Sequence, residues 1–227
     1  MREIVFDTET TGLDPETGDR MVEIGCVEML NRVPTGAVFH RYFNPGRSMP
    51  AAAEAVHGLS DAFLADKPPF AEEAGAFLEF IGDSPLVAHN AIFDFGFINA
   101  ELRIAGIGPV ETGRMVDTLA LARRRHPGAK HSLDALCSRY GIDRSHRTRH
   151  GALLDAELLA QVYVELTGGR QIGLGLAADA PETVDIEVEV IRIARRFRPP
   201  RPHAASIAEL ERHKAFLQSL ESPVWER

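Results

Sequence analysis

Short apolar runs dominate the first part of the chain, and helical spacings dominate the rest. Ile4-Val5-Phe6 runs into Asp7-Thr8-Glu9-Thr10-Thr11-Gly12-Leu13, which reads as a buried strand that ends in two acids and then turns. Residues 14–19 are polar and turn-rich. Residues 21–30 are largely apolar and predict a second strand, and residues 36–43 predict a third. The connection between them, residues 31–35 with Pro34, is short enough to make the two antiparallel. Residues 50–56 predict a short helix, and Ser60-Asp61 the cap of another. Phe70, Ala74, Phe77 and Ile81 recur at helical spacing, so residues 70–81 form a helix with one apolar face. A short buried strand over 85–90 leads into a helix over 91–105 that Gly106 stops. A last strand is predicted at 114–117, with Asp117 capping a helix over 118–125. Further helices follow at 132–140 and 151–167. Three strands in succession, then helices alternating with strands, predict an α/β fold with a mixed sheet covered by helices.

The pattern changes after residue 169. Residues 173–182 are rich in Gly, Ala, Asp and Pro and read as linker. Residues 183–198 alternate acidic with apolar and then become arginine-rich, and Pro199-Pro200-Arg201-Pro202 breaks any helix. Residues 206–220 predict a helix with Leu210, Lys214, Leu217 and Leu220 on one side, and Trp225 lies close to the end. This divides the chain into a domain over 1–169, a linker over 170–205 and a tail over 206–227.

Composition narrows the function classes. A chain of 227 residues with 44% hydrophobic content can build one sizeable core plus an appendage. Its two cysteines, Cys26 and Cys137, are far apart, which excludes a disulfide framework or a thiolate zinc site and suits a reducing compartment. No signal peptide precedes the first strand, and no apolar run reaches the roughly 18 residues a membrane helix needs, so a soluble cytoplasmic protein without membrane contact is expected. The net charge of -8 argues against broad nonspecific nucleic-acid binding. Yet residues 123–149 carry eight Lys or Arg against Asp134 and Asp143, a basic stretch that fits either a solvated face or a surface turned toward phosphates.

Four acids stand where a solvated acid is not expected. Asp7 and Glu9 are two residues apart on a strand and so share a face. Asp94 falls on the helix face of Ile98 and Leu102. Asp155 falls on the stripe of Ala152, Leu159, Val162 and Leu166. Each alone also fits a loop-mouth acid or a helix-start acid favoured by the macrodipole. Together, carboxylates from strand ends and helix starts can hold two hard divalent cations such as Mg²⁺, the arrangement used for phosphodiester displacement. His150 stands just ahead of the helix that carries Asp155, and an imidazole is the side chain best suited to act as a general base at neutral pH.

These residues spell three motifs that resemble those of the DEDDh family of 3′-to-5′ exonucleases. They are Phe6-Asp7-Thr8-Glu9-Thr10-Thr11-Gly12, His89-Asn90-Ala91-Ile92-Phe93-Asp94, and His150-Gly151-Ala152-Leu153-Leu154-Asp155-Ala156. The resemblance implies a ribonuclease-H-like fold with a five-stranded mixed sheet, and two Mg²⁺ or Mn²⁺ ions held by Asp7, Glu9, Asp94 and Asp155. It also implies His150 as general base and release of nucleoside monophosphates from a 3′ end. Val56-His57-Gly58-Leu59 resembles the segment that contacts the terminal nucleotide, so Thr8, Thr11, Leu13, His57 and Phe93 are candidates for holding it. One departure is that Pro50 is followed by three alanines, with Glu54 later than relatives often place a glutamate.

Within the family, the chain is most similar to proofreading members that serve bacterial replicative polymerases, which implies a frayed single-stranded 3′ DNA end as substrate. Gln171-Ile172-Gly173-Leu174-Gly175-Leu176 resembles the place of a sliding-clamp binding motif. The tail with Trp225 resembles a tether to the polymerase subunit. Two alternatives share the motifs: a free-standing DEDDh nuclease acting on RNA or short oligonucleotides, and a non-catalytic scaffold of the polymerase.

Overall fold

A computed structural model describes residues 1–145, 147, 149–168 and 204–219. Five strands form one sheet in the order β3-β2-β1-β4-β5: β1 Arg2–Thr10, β2 Met21–Leu30, β3 Val33–Tyr42, β4 Leu86–Ala88 and β5 Met115–Asp117. The first three are antiparallel, whereas β4 runs parallel to β1 and β5 parallel to β4. The mixed α/β sheet expected from the element order is therefore present.

The third strand begins three residues earlier than the pattern predicts. Leu30 pairs with Val33, so the connection is only Asn31 and Arg32, both at positive φ (51° and 66°). A two-residue turn with left-handed dihedrals matches the twist of a hairpin. Pro34 is tolerated because β3 lies at the sheet edge, where a missing N–H is harmless.

Helices cover both faces. α1 (Ala51–His57) and α2 (Asp61–Leu64) precede α3 (Phe70–Ile81), and α4 (Ala91–Ile104) follows β4. α5 (Thr118–Arg125), α6 (Leu133–Tyr140) and α7 (Ala152–Leu166) complete the domain. Ile4 and Phe6 of β1 pack with Phe77 and Ile81 of α3 and with Phe95, Ile98 and Leu102 of α4. Val5, on the opposite side of the same strand, packs with Leu159, Ala160 and Tyr163 of α7. Strand alternation thus assigns β1 one face to α3 and α4 and the other to α7. A third cluster joins Ala122 of α5 and Leu136 and Cys137 of α6 to Leu158 and Val162 of α7.

The chain divides into two compact units, Met1–Gly175 and Leu176–Arg227. In the second, α8 (Ile207–Gln218) begins at Ser206, whose hydroxyl accepts from the Glu209 N–H while the Glu209 carboxylate accepts from the Ser206 N–H. None of its residues is buried. Residues 171–176, Leu220 and Trp225 lie outside the described residues. Among the described residues no helix is long and apolar enough to cross a membrane.

Candidate active site

The site forms where β1 ends. Because β1 and β4 are parallel neighbours, their C-terminal ends open on one edge, the usual site location in such sheets. Asp7 and Glu9 continue the alternation of Val5 and face α7. Thr8, one step out of phase, faces α4 and donates from its hydroxyl to Asp94 Oδ1 at 2.7 Å. Asn90 at φ 67° turns the chain sharply from β4 into α4. Asp117 fixes this turn: its Oδ1 accepts from the N–H of Asn90 (3.0 Å), of Ala91 (3.4 Å) and of Leu119 (3.0 Å). Asp94 lies in the first helical turn so held.

The fourth acid arrives through a glycine. Gly25 of β2 is the cross-strand partner of Asp7. A Cβ at Gly25 would fall 2.2 Å from the Leu153 nitrogen and 2.3 Å from its Cα, so the first turn of α7 lies directly on the β2 backbone. That approach carries Asp155, which is buried, over the face that holds Asp7 and Glu9. His150 stands just before the helix. Its N–H reaches the Val56 carbonyl at 3.4 Å, and its half-exposed ring brings Nδ1 to 3.3 Å from Asp155 Oδ2. Glu9, His150 and Asp155 each offer a ligand atom within 4.8 Å of the other two.

The electrostatics show acids held together against repulsion. Burial, then the neighbouring charge of Asp94, then Glu9 and Asp155, raise the Asp7 carboxyl well above its ordinary range. Glu9 is pushed up to about 8 by burial and by Glu23. Asp94 is pushed up to about 7 by burial, although the Thr8 hydroxyl opposes the shift. Glu9 Oε1 is buried without a hydrogen-bond partner among the described residues. An orphaned carboxylate oxygen beside two further acids and an imidazole suits a hard divalent cation, so these residues fit the metal their chemistry implies.

One cation of the chain itself already lies there. Arg147 donates from Nε to Asp155 Oδ1 and from Nη2 to Asp155 Oδ2 (2.8 Å), from Nη1 to Asp134 Oδ1 (2.8 Å), and places Nη2 2.8 Å from His150 Nδ1. Part of the basic stretch is thus turned inward against carboxylates.

The candidates for nucleotide contact are arranged unequally. Leu13 is 83% exposed, and Phe93 is half-buried with its ring centroid 5.0 Å from that of Phe97. His57 is buried: its Nδ1 accepts from the Leu59 N–H at 3.0 Å, whereas Nε2 has no partner among the described residues. Burial holds the His57 pKa below its ordinary value. The hydroxyl of Thr8 is committed to Asp94. That of Thr11 accepts from the Arg20 N–H at 3.0 Å and reaches Asp19 at 3.4 Å, so it serves the loop.

Three residues of the site escape the motif reading. Arg147 is one of eight cations in its stretch, Gly25 is an unremarked glycine in an apolar strand, and Glu23 is a buried acid directly opposite Glu9. Glu23, one of two acids in an otherwise apolar run, carried the clearest signal.

The family model described as Exonuclease matches residues 4–163, which span all four acids and His150. The chain belongs to this exonuclease family. Within it, the chain groups with epsilon subunits of bacterial DNA polymerase III. It is 50% identical to the DNA polymerase III subunit epsilon of Rickettsia felis over 97% of both chains. It is 43% identical to that of Escherichia coli over 95% of this chain and 92% of that one. Among solved structures, exonuclease X in complex with 5′ overhanging duplex DNA matches with a TM-score of 0.56 at 28% identity, covering 72% of this chain and 90% of that one. The nuclease domain of 3′hExo, a DEDDh family member bound to rAMP, matches with a TM-score of 0.64 at 14% identity, covering 73% and 91%; that likeness concerns the fold. The protein is a nuclease of a divalent-metal-dependent family, of the proofreading type.

Proposed function

We propose that the protein is the proofreading 3′-5′ exodeoxyribonuclease of a bacterial DNA polymerase III, acting in the cytoplasm on a frayed single-stranded 3′ DNA end and releasing nucleoside 5′-monophosphates. The observation that carries this reading is the meeting of Glu9, His150 and Asp155 within 4.8 Å, with Asp7 and Asp94 beside them. Asp7, Glu9, Asp94 and Asp155 would hold two ions of Mg²⁺ or Mn²⁺. When bound, such ions supply Lewis acidity to the attacking water and to the departing 3′ oxygen.

The chain's own groups do the rest. His150 takes a proton from the attacking water at Nε2, while Asp155 beside Nδ1 stabilises the resulting imidazolium. Leu13, His57 and Phe93 hold the terminal nucleoside, and Thr8 and Thr11 shape the floor beneath it. Apolar stacking on Phe93 or Leu13 tolerates any base, as proofreading requires. Selectivity then comes from fraying, since a mismatched end unpairs more readily than a matched one. The tail over 206–227 would tether the protein to the polymerase alpha subunit, and residues 171–176 would engage the sliding clamp.

The test is digestion of 5′-labelled single-stranded DNA and of a primer with a 3′ mismatch, with Mg²⁺, Mn²⁺ or a chelator. The expected result is stepwise shortening from the 3′ end, nucleoside 5′-monophosphate as product, and its loss with the chelator or in Asp7→Ala. Digestion by Asp7→Ala at the wild-type rate overturns the reading.

A further inference from the structure

Arg147 makes side-chain contacts with three groups of the site, and no motif accounts for it. Its side chain is 9% exposed, and its guanidinium engages three groups at once: both oxygens of Asp155, Asp134, and the ring of His150. Two of these, Asp155 and His150, belong to the ligand cluster with Glu9. A planar fork bound to both carboxylate oxygens leaves Asp155 little capacity for another cation.

We infer that Arg147 is a resident counter-ion that a divalent metal must displace from Asp155, so that Asp155 is exchanged between a guanidinium and the metal. This rests on the reading of the acids as metal ligands. Three features favour exchange over a fixed structural pair. First, Asp155 is buried beside Asp7 and Glu9, so without metal it needs a positive partner, and Arg147 supplies a permanently charged one. Second, Asp134 is half-exposed and also accepts from Arg144 at 2.9 Å, so it can keep the guanidinium anchored at the rim after Asp155 lets go. Third, Arg147 itself lies outside any helix or strand, between α6 and α7 in sequence, so it can withdraw without unwinding either helix.

Exchange predicts effects of opposite sign. Removing Arg147 should weaken the metal-free fold, because Asp155 loses its counter-ion, and should tighten metal binding, because the competitor is gone. A residue that only shapes the site would weaken both.

The experiment uses the full chain as wild type, Arg147→Ala and Arg147→Lys. It measures the melting temperature in chelator at pH 8 and Mn²⁺ affinity by titration calorimetry, with Asp7→Asn as the control for the site. Arg147→Ala should melt about 5 °C lower without metal and bind Mn²⁺ about tenfold more tightly. Arg147→Lys, which keeps the charge but loses the fork, should fall between and keeps the test decisive should the alanine variant not fold. Mn²⁺ binding by wild type with equal or weaker binding by both variants overturns the exchange alone. No Mn²⁺ binding by wild type, or none lost in Asp7→Asn, overturns the metal-site reading and the exchange with it.

Discussion

Glu9 and Glu23 face each other directly across the β1–β2 pair, two acids buried on the same side of the sheet. Like charges in that position are destabilising. The two are treated differently by their surroundings. His40 Nε2 approaches Glu23 Oε1 at 2.7 Å, and the His40 ring meets that of Tyr42 edge-on at 4.8 Å. Glu9 has no hydrogen bond of that kind at Oε1 among the described residues, and Glu23 is the largest neighbouring charge acting to raise its pKa, which the Arg147 charge partly opposes. Without metal, then, Glu9 meets Glu23 across the sheet while Asp7 meets Asp94, Glu9 and Asp155, so the repulsion is shared over the site.

This gives stability a definite pH dependence. The folded-state pKa of Glu9 is raised from its ordinary 4.5 to about 8, and that of Asp94 from 3.8 to about 7. A carboxyl that prefers its proton in the folded state contributes stability at low pH, lost as pH rises through the folded value. In chelator, the melting temperature should therefore fall between pH 5 and pH 9, by about 5 °C from these groups. Mg²⁺ should recover the loss, more at pH 8.5 than at pH 6, and Glu9→Gln should flatten the chelator curve. A melting temperature that does not change with pH in chelator would show that burial does not hold these carboxyls in their protonated form.

Gly25 is the second point of vulnerability. The backbone of Leu153 occupies the space a Cβ would take, and backbone cannot move aside like a flexible side chain. Gly25→Ala should force the first turn of α7 off the sheet, at a cost of about 3 kcal/mol. Because that turn delivers Asp155, metal-induced stabilisation should shrink along with the melting temperature. Gly75→Ala, inside α3 with open space around the added methyl, is the control: it should raise the melting temperature slightly and leave metal-induced stabilisation unchanged.

The outline of this site could be read from the chain alone, and its supporting parts could not. The four acids and His150 were legible because each breaks a local rule: an acid on an apolar face, or an imidazole just ahead of a helix. The mixed α/β class was implied by three strands in succession followed by helices alternating with strands. What stayed hidden depends on contact between distant segments. Nothing in the run Ile24-Gly25-Cys26 states that a helix over 125 residues further on will lie against it. Arg147 looked like one charge among eight because a guanidinium's partner is chosen by the fold and not by its neighbours in sequence. The two-residue hairpin was misplaced because Arg32 carries none of the usual preference for a left-handed turn.

His150 gives a prediction about rate rather than stability. Its ring is half-exposed and contributes little to the core, so His150→Ala should melt close to wild type. Loss of a general base should lower kcat about 10² to 10⁴-fold, with KM for a single-stranded oligonucleotide nearly unchanged. The residual activity should rise with pH as hydroxide replaces the missing base. Steady-state digestion across pH 6 to 9 measures all three, and a KM effect without a kcat effect would assign His150 to binding instead.

The second unit poses a different physical problem. α8 spans 12 residues, starts with a reciprocal cap at Ser206 and Glu209, and yet buries nothing. Ile207 is 78% exposed, and Leu210 and Phe216 more than half. A helix this short is marginal in water even with a good cap, because nucleation is unfavourable and each turn returns little. Exposed apolar groups on a capped helix therefore call for a protein surface to complete them, in the manner of an amphipathic helix laid in a groove. On the proposed tether, a peptide of residues 204–227 should be largely unstructured alone by circular dichroism and become helical when the polymerase alpha subunit is added. Full-length protein should be captured by that subunit, whereas residues 1–169 should not, and both should digest single-stranded DNA at similar rates. Leu210→Ser combined with Phe216→Ser should reproduce the loss of capture in the full chain without touching digestion. Equal capture of both forms would place the polymerase contact on the exonuclease domain and leave the tail without this role.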